Sequence, residues 1–162
     1  MEANYTAGLK FKIFNIAIKL FLGGMLFYGG IAKFQNPLPK PDSLIEQVKS
    51  GQEIAADTDM LMIKNYIFGM QQTNYFWQFL GFTELFAGTL ILSQIFSIAG
   101  AFIALPLTIN IFLFHLFLEP GEDGELYLTL ALLFANIWVV FMAYEKWKSI
   151  LVDQSAIQFK AN

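Results

Sequence analysis

The sequence predicts an all-α integral membrane protein, a four-helix bundle with a helical connection between its first and second spans. Three observations carry this. Hydrophobic residues make up 56% of the 162-residue chain and aromatic residues 17%, with mean hydropathy +0.53, more apolar surface than a soluble domain of this size can hide. That content gathers into runs of about 20 residues, the length that crosses a roughly 30 Å hydrocarbon core. Aromatic and lysine residues such as Tyr75, Phe76, Trp77, Lys146, Trp147 and Lys148 flank the runs, as interfacial anchors do. The chain reads as one membrane domain over residues 1–162, with no length left for a second.

The first span is expected over about residues 12–34, within IFNIAIKLFLGGMLFYGGIAKF. No small-residue cleavage site follows this run, so it reads as a retained helix and not a signal peptide. Lys19 interrupts it near enough to one end for its stem to reach back to the interface. Gly23 and Gly30, two helical turns apart, offer a small-residue stripe for close helix packing.

Residues 35–74 form an outer, amphipathic connection. Pro37, Pro39 and Pro41 end the first helix, and Ser43 to Glu46 has capping-box spacing for a short helix closed by Gly51. A second short helix is expected from about Thr58 to Phe68, its apolar face lying at the headgroup boundary.

The second and third spans, about residues 75–95 and 98–118, are joined by the tight turn SQIFS, and Pro106 kinks the third. The acidic segment Glu119 to Glu125 reads as a solvated loop before a fourth span over about 126–144. A short, weakly amphipathic tail follows. Lysines near both ends place the two termini on the cytoplasmic side, with the acidic turn and the long connection outside.

The lysines are scattered and the net charge is -3, which excludes a nucleic-acid role requiring a clustered basic face. The absence of cysteine removes disulfides, thiolate nucleophiles and cysteine metal sites. One histidine and one deep glutamate fall short of a metal shell, so no metal and no resident cofactor are expected. No motif equips the chain for catalysis on its own.

The residues that call for explanation are polar groups at depth. Glu84 lies in GFTELFAGTL, where an acid costs roughly 2.5–3.5 kcal/mol on insertion scales unless it faces protein or trapped water. Gly81 and Gly88 flank it on one helix face. Asn110 and Asn136 fall at a similar depth on the next two spans, Thr108 and His115 share a stripe on the third, and Lys33 ends the first. Together Lys33, Glu84, Thr108, Asn110, His115 and Asn136 define a candidate polar pocket opening outward, with Gly23, Gly30, Gly81 and Gly88 as packing positions. Glu84 reads either as packing glue bonded to Asn136 or a backbone carbonyl, or as a ligand or proton site. Lys33 reads as a snorkelling anchor or as a partner reaching inward to Glu84. His115 is a packed interfacial residue or a base.

Three motifs, GGIAKF at Gly29 to Phe34, GFTELFAGTLIL at Gly81 to Leu92 and INIFLFHLFLEP at Ile109 to Pro120, resemble the DoxX family of small bacterial membrane proteins. The likeness runs across all four spans, although the connection at 35–74 is longer than in the most compact members. It implies a four-helix bundle in the bacterial inner membrane, associated in several members with redox enzymes, including thiosulfate:quinone oxidoreductase. Lys33, Glu84 and His115 match the family's recurrent polar positions. The resulting expectation is an accessory or scaffold subunit of a larger membrane complex, contacting bilayer lipid and partner subunits. The alternative is a quinone-linked redox subunit in which Glu84 and His115 pass protons or hold a quinone; quinone or lipid is then the pocket's occupant.

Overall fold

The computed structural model describes residues 2–35, 50, 58–73, 75–119 and 121–151. Six helices are described: α1 (Glu2–Gln35), α2 (Thr58–Gln72), α3 (Phe76–Leu92), α4 (Ser97–Leu118), α5 (Asp123–Met142) and α6 (Tyr144–Leu151). Among the described residues there is no strand, so the all-α class holds. The short helix expected after Ser43 and the tail beyond residue 151 lie outside the described residues.

Three helices are long and apolar enough to cross a membrane: Gly8–Gln35 of α1, α4 and α5. The remaining expected span, the second, corresponds to α3, which is apolar but only 17 residues long. The architecture is therefore that of a membrane-embedded, multi-pass protein. Its outward faces agree, since Phe79, Phe82, Phe86, Phe134 and Phe141 are each more than half exposed, an arrangement suited to hydrocarbon and not to water.

Four boundaries differ from expectation, each for a local reason. α1 begins at Glu2, because the polar lead-in contains no proline and Gly8 alone does not break a helix. α2 continues to Gln72, where the Thr73 hydroxyl donates to the Met70 carbonyl (2.7 Å) and accepts from the Phe76 amide (3.0 Å). One side chain thus closes α2 and opens α3. α3 stops at Leu92, short of the expected 95, and Gln94 turns the chain with a left-handed φ of 60°. α5 starts at Asp123, so the acidic loop is shorter than expected: Asp123 and Glu125 sit in the first helical turn, where negative charge favours the exposed amides.

Packing closes a ring in which α1 meets α3, α3 meets α4, α4 meets α5 and α5 meets α1; α2 leans on α3 and α4, and α6 on α5. The core is built from Leu22 and Leu26 of α1, Ala87 and Ile91 of α3, Ala101 and Ala104 of α4, and Leu132, Ala135 and Val139 of α5. Small side chains let the axes approach closely. The α1/α3 seam is the extreme case. A Cβ on Gly88 would meet the Gly23 carbonyl oxygen and the Phe27 amide nitrogen at 2.8 Å, and one on Gly30 would meet Leu85 Cγ at 2.7 Å and the Gly81 carbonyl oxygen at 2.9 Å. All four expected packing glycines therefore lie where only glycine fits without movement. Gly100 does the same between α4 and α3, 2.8 Å from the Ala87 carbonyl oxygen.

Candidate functional site

The glycine seam brings the end of α1 against the middle of α3, and this places Lys33 beside Glu84. Lys33 Nζ lies 2.7 Å from Glu84 Oε2, and the Glu84 side chain is almost wholly buried. Lys33 is held from two further directions: Trp77 Nε1 donates to its carbonyl oxygen at 3.2 Å, and its ammonium stands 5.5 Å from the centroid of the Trp77 ring. Of the two readings open for Lys33, the inward pairing is the one observed.

Glu84 Oε1 is buried and has no hydrogen-bond partner among the described residues. A buried acceptor left unpaired is costly, by about 1–3 kcal/mol and more for a charged group, so the atom's surroundings matter. Glu84 and Lys33 border a cavity of about 310 Å³ whose walls include Tyr66, Trp77, Phe114 and His115. The volume sits near the lower end of the roughly 300–1,000 Å³ usual for small-molecule sites, room for a headgroup but not for a long tail. Gly29 contributes space here, because a Cβ at that position would stand 3.4 Å from Glu84 Oε2.

The remaining expected residues divide. Asn110 borders the cavity from an exposed position and accepts a hydrogen bond from the Tyr66 hydroxyl at 3.2 Å, tying α2 to α4. His115 borders it too, with Nδ1 2.5 Å from Glu119 Oε2, one turn on; the approach lies off the ring N–H direction and leaves Nδ1 without a directed hydrogen bond. Thr108 and Asn136 do not reach the cavity. They are buried against each other, with Asn136 Nδ2 donating to Thr108 Oγ1 at 3.0 Å, and Asn136 Oδ1 has no partner. The Glu84–Asn136 bond, one of the readings open for Glu84, gives way to two separate pairs. Thr108 lies seven residues, about two turns, before His115, and that distance along α4 puts one residue in the core and the other on the cavity wall.

Two residues of the site were not foreseen. Trp77 reads in sequence as an interfacial anchor, yet it lies seven residues before Glu84 on the same helical face, a spacing that would have flagged it. Tyr66 comes from α2, and no local pattern connects it to Asn110, 44 residues away. Among the described residues no group of three or more His, Cys, Asp or Glu side chains is placed to hold a metal ion.

The fold and the site define a class: a multi-pass helical membrane protein with a partly charged, aromatic-walled cavity between its helices. Comparison of the chain with family models, curated proteins and solved structures found no match.

Proposed function

We propose that this chain is a DoxX-like four-helix bundle of the bacterial inner membrane that holds the polar head of a lipid-soluble molecule, as a subunit of a larger membrane complex. The observation that carries the reading is the floor of the cavity, where a buried glutamate has one oxygen on Lys33 and the other unpaired. Packing alone is served by a pair without orphans. An unpaired acceptor on a cavity wall is served by an occupant bearing an O–H or N–H donor.

The rings of Tyr66, Trp77 and Phe114 offer faces for a planar head, and the exposed apolar exterior gives a tail its surroundings. A quinol fits both descriptions. Its ring stacks, one hydroxyl donates to Glu84 Oε1, and His115 with Glu119 stands at the rim as a group able to take up or release a proton. Both termini lie in the cytoplasm under this reading, with the cavity opening towards the periplasm.

Purification in mild detergent, organic extraction and mass spectrometry test the proposal. The native chain should carry an amphiphile with a donor-bearing head in near-stoichiometric amount. Gly29→Leu, which fills the cavity beside Glu84, and Glu84→Gln should lose it while keeping helical content. Equal content in native and Gly29→Leu protein would reject the reading. The same preparation identifies any partner subunit that travels with the chain.

A further inference from the structure

At the opposite end of the helical ring lies a second cavity, of about 240 Å³, bordered by Asn15 and Lys19 of α1, Gln94 and Ser97 of the α3–α4 turn, and Lys146 of α6. Lys19 and Lys33 are separated by 14 residues of one helix, about 21 Å at 1.5 Å per residue, so this cavity is distinct from the one at Glu84. Among the described residues no carboxylate borders it. Among the described residues neither lysine is paired with an acid, and the two are close enough for the charge of Lys146 to act on Lys19. Lys19 lies part-buried within the first span, where two like charges are screened far less than in water.

The start of α4 adds to this sign, while the C-terminal ends of α3 and α5 reach the same cavity near Gln94 and at Val139, Met142 and Ala143. α4 begins at Ser97 without a side-chain cap, and Ser97 and Ile98 of its first turn border the cavity, which brings the positive end of its dipole to it. Trp138 Nε1 donates to Asn15 Oδ1 at 3.0 Å, and Asn15 Nδ2 donates to the Phe11 carbonyl at 2.8 Å. The asparagine's acceptor oxygen is thereby engaged by the indole. Two ammonium groups and a helix start, all donors, meet in a space that fits a headgroup and little more.

The geometry points to a phosphate-binding site formed by Lys19, Lys146 and the start of α4. Basic pockets between membrane helices hold the heads of anionic phospholipids, and a phosphodiester placed here satisfies both lysines at once. Inorganic phosphate offers the same chemistry from the aqueous side.

Native mass spectrometry of the full chain in detergent, titrated with phosphatidylglycerol, phosphatidylcholine or inorganic phosphate, separates the cases. Phosphatidylglycerol should bind in preference to phosphatidylcholine. Lys19→Gln/Lys146→Gln should weaken it about 30-fold, from roughly fivefold per lysine near a headgroup plane. Lys19→Arg/Lys146→Arg should restore it, which guards against misfolding as the cause. Competition by millimolar inorganic phosphate would assign the site to the soluble anion. Equal binding of the two lipids together with no effect of phosphate would overturn the proposal, as would undiminished binding by a folded Lys19→Gln/Lys146→Gln protein.

Discussion

Two of the polar pairs that bridge helices in this protein are built differently. Lys33 and Glu84 join α1 to α3 through charges, beside a cavity and over a seam of glycines. Thr108 and Asn136 join α4 to α5 through neutral groups, sealed in the alanine-lined core. Each leaves one oxygen unpaired, Glu84 Oε1 and Asn136 Oδ1. The orphan amide oxygen sits in packed interior, a modest and static cost. The orphan carboxylate oxygen belongs to a residue that lines a cavity, where the proposed ligand would relieve it. Depth alone therefore does not mark a functional residue; depth beside empty space does.

The comparison breaks most sharply at Lys33. Lys33→Met leaves Glu84 buried without its counter-charge and should lower stability by about 3–5 kcal/mol, whereas Lys33→Met/Glu84→Met should recover most of that loss. Denaturant titration followed by circular dichroism reads both, and a double variant no better than the single would show that the pair is not coupled. Next in size is the seam beneath the pair. Gly30→Val should cost about 1–3 kcal/mol by forcing α1 from α3, while Gly24→Ala, with nothing within 4 Å of the added Cβ, should be neutral or stabilising by less than about 1 kcal/mol. Thermal melts of the two proteins, measured side by side, check the contrast.

The neutral pair should give less. A double-mutant cycle on Thr108→Ala and Asn136→Ala should return a coupling of about 0.6 kcal/mol and not above about 1.7 kcal/mol. A value near that of the charged pair would erase the distinction between them. Smallest is the surface pair on α6, where the Glu145 carboxylate hydrogen-bonds Lys148 and holds its ammonium above the ordinary 10.5. Because this pKa is raised on folding, its contribution is fully present below the ordinary value and is lost only as pH rises past the raised one. Melting temperature should thus be flat between about pH 7 and 9 in Lys148→Gln and native protein alike. A pH-dependent gap in that range would show that α6 carries more than a solvated pair.

What can be read in the sequence follows from what periodicity encodes. The glycines at 23, 30, 81 and 88 recur on one helical face, so their role at a close seam is legible from spacing alone. The buried stripes Gly100, Ala104, Thr108 and Thr129, Asn136, Ala143 are legible in the same way. Partner choice is not. Whether Glu84 meets Asn136 or Lys33 depends on which helices become neighbours and on the reach of a lysine stem, and both are set by tertiary packing. The end of α3 is hidden because Gln94, a non-glycine residue, takes a left-handed φ that its neighbours in sequence do not announce. Tyr66 is hidden because its helix lies outside the spans, so no spacing within a span points to it.

One dimension of the fold has an effect beyond the protein itself. α3, at 17 residues, measures about 25 Å, while α4 at 22 residues measures about 33 Å against a hydrocarbon thickness of roughly 30 Å. As one of the crossings of the proposed four-helix bundle, α3 requires the lipid beside it to compress, at a cost that grows with every ångström of mismatch. A bilayer of shorter acyl chains needs less compression. Under the proposed four-span reading, the protein is biased towards thinner patches of membrane, with the bilayer surface dimpled next to the helix that carries Glu84.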